Sequence, residues 1–215
     1  MTDFPDPTAD LTARLIRCPS VTPEEGGALV LLESRLAAAG FDCTRADRGD
    51  TANLFARWGA KGHARTFGFN GHTDVVPVDG QPWDSDPFTV VERDGRYYGR
   101  GCCDMKGFDA LAIWALVEAH YADVQRPLQI ALSFDEEIGC TGAPPMIEAM
   151  QPVLPKGALV IVGEPSTMQA VTGHKGGTGF NTHVVGFEVH SSLIDRGVSA
   201  IMEAAKLIDW GNRMN

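Results

Sequence analysis

The stretch Lys106 to Tyr121, KGFDALAIWALVEAHY, followed by Gln129 to Phe134, QIALSF, and then by Ala158 to Val162, ALVIV, decides the fold class. The first segment is apolar nearly all round through Leu111, Ile113, Trp114, Leu116 and Val117, so as a helix it must be buried against a sheet. The other two are short continuous apolar runs, the pattern of central strands covered on both faces. Helix and buried strands in alternation predict an α/β domain.

Upstream, Leu11 and Leu15 share a face of a short first helix that stops before Pro19. Thr22-Pro23-Glu24-Glu25 reads as an N-cap, a proline at the first helical position and a capping-box glutamate, and Leu29, Leu32 and Leu36 line the helix that follows until Gly40 ends it. Phe41 to Thr44, Leu54 to Trp58 and Thr66 to Asn70 are strand candidates. Phe88 to Glu92 and Arg96 to Tyr98 form a hairpin across the strong turn dipeptide Asp94-Gly95. Downstream, Phe180 to Val189 alternates as a strand does, and a helix then places Ile201, Ala205 and Ile208 on one face. A single strand and helix cannot bury their own apolar faces, so the last 40 or so residues predict the opening of a second domain whose remainder is absent. Such uncovered faces predict poor stability of the chain alone.

The 215 residues carry 18 Lys+Arg against 28 Asp+Glu, a net charge of −10, with no basic block to meet phosphate backbones or anionic membranes. Nucleic acid is therefore not expected as a partner. The longest apolar stretch, Leu111 to Val117, is far short of a bilayer span, and the acidic start MTDFPDPTAD is no signal peptide. Cys18, Cys43, Cys102, Cys103 and Cys140 are odd in number and lack CxxC spacing, which predicts small buried thiols in a reduced, cytoplasmic protein.

Four segments put acid/base or metal-binding side chains at the ends of candidate strands, where open α/β sheets place their sites. They are Gly71-His72-Thr73-Asp74, Gly101-Cys102-Cys103-Asp104-Met105-Lys106-Gly107, Asp135-Glu136-Glu137-Ile138-Gly139 and Gly163-Glu164-Pro165. Each alone has a plain structural reading: a surface histidine, a helix cap, a solvated strand end, a loop acid. Together they predict one histidine and several carboxylates in one crevice, a donor set that suits Zn²⁺, with Co²⁺ or Mn²⁺ as alternatives.

In their order and spacing, GHTDVVPVDGQPWDSDPF, YGRGCCDMKGF, DEEIGCTG, VGEPS and GHKG resemble the dinuclear-zinc amidohydrolases and exopeptidases over essentially the whole chain. That family includes acetylornithine deacetylase, succinyl-diaminopimelate desuccinylase, aminoacylase and the carboxypeptidase G2 type. The resemblance implies a three-layer α/β/α catalytic domain with a mixed sheet, here residues 1–174, and the start of an α+β lid or dimerisation domain, 175–215. It makes His72, Asp104 and Glu164 ligands of one zinc, with Asp104 bridging to a second that Glu137 also holds. Glu136 becomes the general base, Asp74 the residue that orients His72, and His190 a group that reaches a partner subunit's oxyanion in a homodimer. It also implies a cis peptide at Asp104-Met105.

Within the family, the SDPF segment, the Phe after DMKG and the GEPSTMQAVTGHKG run look most like acetylornithine deacetylase, which would make N-acetyl-L-ornithine the substrate. Succinyl-diaminopimelate, another N-acylamino acid or a dipeptide are the alternatives, and a non-catalytic binding protein or fragment is the rival of another class. Two departures stand out. Leu193-Ile194-Asp195-Arg196 lacks the proline usual before Gly197, and no histidine follows His190 to complete the second metal's ligands.

Overall fold

The structure is a computed structural model and describes residues 4–59, 65–122, 124–173 and 175–214. His174, in the GHKG segment, lies outside the described residues. The chain divides into two compact units, Met1–Gln169 and Ala170–Asn215.

The first unit begins with helix α1 (Pro7–Ile16), whose N-terminus is capped by the Asp6 carboxylate on the amides of Thr8 and Ala9, with Pro7 in the first turn. Helix α2 spans Ala28–Ala38 and begins later than the sequence predicts. Residues 22–27 are not helical. Val21 instead pairs with Val75, and Glu25 caps α2 from outside, accepting the amides of Gly27 and Leu29. The Thr22 hydroxyl is thereby free for another partner.

A five-stranded mixed sheet follows. It is built from β1 (Asp42–Arg48), β2 (Thr51–Trp58), β3 (Thr66–His72), β6 (Leu128–Ser133) and β7 (Gly157–Val162), in the order β1-β2-β6-β3-β7. Strands β3, β6 and β7 are parallel to one another, while β1 and β2 run antiparallel to their neighbours. The short β4 (Val91–Arg93) and β5 (Arg96–Tyr98) form the expected hairpin; its Asp94-Gly95 turn has φ of 53° and 69°, the signs that a two-residue turn matching strand twist requires.

Helix α3 (Lys106–Tyr121) lies with α1 and α2 on one face of the sheet. There Leu15, Leu32, Leu36, Ile113 and Leu116 meet Leu54, Ile130 and Leu132. Helix α4 (Ala143–Met150) covers the opposite face through Met146 on Phe55 and Ala131. The result is helix, sheet, helix. Strand β6 is buried along its whole length, as its apolar run predicts, because it has a strand on each side and a helix layer on each face. Strand β7 departs from the same expectation. It is the edge of the described sheet, with Leu159 60% and Val162 58% exposed. An apolar run reports that a strand is built for cover, not that the cover lies within these residues.

The second unit holds a 3₁₀ helix (Ser191–Arg196) and helix α5 (Ala200–Met214), as the amphipathic run predicts. Phe180 to Val189 forms no strand. Only Phe187 pairs, with Val198, and the alternation there has no sheet to align to among the described residues. None of the described helices is long and apolar enough to cross a membrane.

Candidate metal centre

Parallel pairing sets the site. His72 ends β3 opposite Ser133, the end of β6, and the Gly163 amide donates to Asn70 just past β7. Three strand ends therefore deliver His72, Glu136, Glu137 and Glu164 to one rim, and the turn before α3 adds Asp104. The Asp104–Met105 peptide is cis, as the resemblance implies. Two glycines let α3 come this close. A Cβ on Gly71 would sit 2.3 Å from Asp109 Oδ1, and one on Gly163 2.0 Å from the Phe108 ring. Gly71→Ala is expected to destabilise the protein by about 1–3 kcal/mol, since the buried helix must shift; a thermal melt unchanged from wild type would contradict this close packing. The Glu136-Glu137 loop is fixed by buried Asn53, whose Nδ2 donates to Gly142 O at 3.0 Å while its Oδ1 accepts the Phe134 amide at 3.0 Å.

His72 is buried, and its Nδ1 lies 3.0 Å from the Asp74 main-chain oxygen and 3.5 Å from the Asp74 carboxylate. The resemblance makes Asp74 the residue that orients His72, a part that a carboxylate commonly takes as acceptor. The nearer carbonyl takes that part, and the carboxylate acts on the ring mainly through its charge. Because a carbonyl only accepts, Nδ1 carries a proton, and Nε2 is the atom that turns to the rim. Nε2 faces Asp104 Oδ1 at 3.1 Å, Glu164 Oε1 at 3.6 Å and Glu136 Oε2 at 3.9 Å. One donor atom each from His72, Asp104 and Glu137 lie within 4.8 Å of one another, and so do donor atoms of His72, Glu136 and Glu164.

Electrostatics explains what such a cluster requires. Burial alone would lower the His72 pKa, but the Asp74 carboxylate beside the ring, then Glu164 and Asp109, raise it to about 10. Burial and neighbouring carboxylates push Glu137 and Glu164 above the usual range. For Asp74, burial acts to raise the pKa, and the neighbouring His72 ring with the bonds from Thr22 and the Glu137 amide outweighs it and holds the group below its ordinary value. Beneath the site, fully buried Asp109 is driven well up by desolvation, and neither of its oxygens has a hydrogen-bond partner among the described residues. A nitrogen lone pair aimed at several carboxylate oxygens is repulsive unless a positive charge stands between them. A proton on Nε2 meets that need for one oxygen; a divalent cation meets it for several. The residues present therefore fit a divalent metal, with Asp104 and Glu164 about half exposed and open to it, at 49% and 48% of their side chains.

All six first-unit residues singled out in the sequence, His72, Asp74, Asp104, Glu136, Glu137 and Glu164, meet at this rim. His190 belongs to the second unit, where its Nδ1 accepts the Ser192 amide at 3.3 Å and caps the 3₁₀ helix. Sequence reasoning missed Asp109, although an acid beside the apolar run of α3, one residue past Phe108, is itself a signal. It also misjudged the cysteines. All five are free, none is buried, and the exposed Cys140 donates to Glu136 Oε1 at 3.3 Å.

A mixed α/β sheet with a histidine and carboxylates at its parallel strand ends defines a metallohydrolase-like scaffold. Residues 68–211 match the model of peptidase family M20/M25/M40, and the chain belongs to that family. It is 45% identical over 214 residues to the succinyl-diaminopimelate desuccinylase of Dinoroseobacter shibae, covering 95% of this chain and 56% of that protein. Succinyl-diaminopimelate desuccinylase 1 of a Ruegeria species is 44% identical over 207 residues, covering 93% and 54%. The chain thus spans a little over half the length of these relatives. Among solved structures, an M20 family metallo-carboxypeptidase from Sulfolobus solfataricus superposes with a TM-score of 0.64 at 22% identity, over 74% of this chain and 37% of that one, a likeness of fold.

The relatives named here carry the alternative that the sequence reading held open, succinyl-diaminopimelate desuccinylase, rather than acetylornithine deacetylase.

Proposed function

We propose that the chain carries the metal-binding side chains of an amide hydrolase acting on N-acylamino acids, and that its substrate is N-succinyl-diaminopimelate, split by water into succinate and diaminopimelate. The observation that carries the hydrolase reading is His72 Nε2 facing the carboxylates of Asp104, Glu164 and Glu136 within 3.9 Å. Identity of 45% to a succinyl-diaminopimelate desuccinylase supports the substrate.

In this reading His72, Asp104 and Glu164 hold one divalent cation and Asp104 with Glu137 a second, zinc being suited to mixed imidazole and carboxylate donors. When bound, the cations supply the charge that acidifies a water and polarises the amide carbonyl. Glu136 takes the proton of the attacking water and delivers it to the departing amine as the C–N bond breaks. Asp74 keeps the His72 proton on Nδ1 and so presents Nε2 to the rim. His190 is assigned to the developing oxyanion on the strength of the resemblance.

The test compares initial rates of the natural-length, zinc-loaded protein on N-succinyl-diaminopimelate and N-acetyl-L-ornithine. A kcat/KM at least about tenfold higher for the succinyl substrate is expected. A preference of that size for N-acetyl-L-ornithine would overturn the substrate, and hydrolysis of neither this pair nor other N-acylamino acids would overturn the hydrolase reading.

A further inference from the structure

We infer that Thr22 is a positioning residue for the centre, acting through Asp74 on the backbone that carries Glu136 and Glu137. The inference rests on the roles proposed above for those two glutamates.

Asp74 is wholly buried, and its two carboxylate oxygens serve separate parts of the site. Oδ1 takes the Glu136 amide at 3.3 Å and faces the His72 ring, while Oδ2 takes the Glu137 amide at 3.2 Å. One side chain thus sets both the histidine and the main chain of the two acids beside it. The shortest bond to this carboxylate comes from neither group. It is donated by the Thr22 hydroxyl to Oδ2 at 2.9 Å, from a residue 52 positions earlier. A buried carboxylate keeps its place only while its lone pairs are met, so loss of this donor leaves Oδ2 with one longer amide bond.

Thr22 is itself held at fixed height. Its amide donates to Val75 O at 3.3 Å, the Val75 amide donates to Ser20 O at 2.9 Å, and the Ser20 hydroxyl donates to Thr73 O at 2.5 Å. Residues 20–22 therefore run as an extended strap along Thr73-Asp74-Val75. The strap's root is tied by the buried Lys106 Nζ, which donates to Cys18 O at 2.7 Å and Leu15 O at 3.1 Å. Lys106 is the first residue of α3, two places after Asp104. The strap thus links the Asp104 turn to Asp74 without entering the rim. The threonine that looked like a helix cap supplies its hydroxyl to the site instead.

Thr22→Val removes the donor and keeps the shape; Thr22→Ser keeps the donor and drops a methyl. In the natural-length protein T22V is expected to lose about 10- to 100-fold in zinc affinity or in kcat, with KM within about threefold of wild type. It should also alter the visible absorption of the Co²⁺-substituted protein. T22S is expected to restore affinity, kcat and spectrum. Ser20→Ala, which removes a hydroxyl from the same strap but from a backbone carbonyl rather than from Asp74, serves as the structural control. Should T22V fail to fold, Thr22→Ala against T22S gives the same contrast. If T22V matches wild type, or if S20A reproduces its losses at equal melting temperature, the inference is overturned while the hydrolase reading stands. A wild-type protein that binds no zinc overturns both.

Discussion

Glu136→Gln is expected to lower kcat by about 10²- to 10⁴-fold while leaving zinc affinity and KM within a few-fold of wild type. Glutamine preserves the shape and the amide bond from residue 136 to Asp74 Oδ1 at 3.3 Å, but it has no carboxylate to take a proton. The substitution also separates two roles that proximity alone leaves joined. Glu136 shares one donor cluster with His72 and Glu164, and Glu137 shares another with His72 and Asp104. If Glu136 were a ligand, E136Q would weaken zinc binding strongly. If it is the base, only turnover falls. Calorimetric zinc titration beside steady-state kinetics distinguishes the two.

The affinity for zinc is expected to rise about tenfold for each unit of pH between 6 and 8. The sign follows from His72. Its pKa in the folded protein is raised to about 10, so across that window the ring is charged, with a proton on the nitrogen that a cation needs. Binding must release that proton, and the lower the pH, the more the proton competes. Glu137 and Glu164, both shifted upward, contribute in the same direction at lower pH. An ordinary imidazole with a pKa near 6.5 would give a slope that fades above neutrality. Titrations in buffers of different ionisation enthalpy count the protons released. About one from His72 at pH 7 to 8 is the expected result, and a pH-independent affinity would contradict it.

Much of the fold could be read from the chain because local pattern and tertiary role agree there. Helix α3 has the predicted ends and lays Ile113 and Leu116 on the sheet, but Leu111 and Trp114 of the same apolar run stand exposed at 51% and 42%, so one face of the helix is buried rather than all of it. The Asp94-Gly95 turn forms because its residues tolerate the positive φ it needs. The misreadings share a physical cause. Thr22-Pro23-Glu24-Glu25 satisfies the capping pattern, yet the hydroxyl is drawn to a buried carboxylate distant in sequence, which offers more than an exposed amide. The apolar run of β7 is correct as a strand and misleading as to position, because burial depends on neighbours the run does not encode. The Asp74 carbonyl, rather than its carboxylate, accepts from His72, a distinction of half an ångström between 3.0 and 3.5 Å that residue identity cannot express. The rim acids were legible because four such segments occur together, each with a plain structural reading of its own, whereas Asp109 and Thr22 lie behind the rim and acquire meaning only through contact.

His72 Nε2 and the carboxylates around it are arranged as a seat for a divalent cation. Anomalous diffraction from crystals grown with zinc tests this seat most directly. A zinc peak is expected at bonding distance from His72 Nε2, about 2.0–2.1 Å, with Asp104 and Glu164 among its oxygen ligands. Zinc bound elsewhere, with His72 Nε2 still against the Asp104 carboxylate, would contradict it.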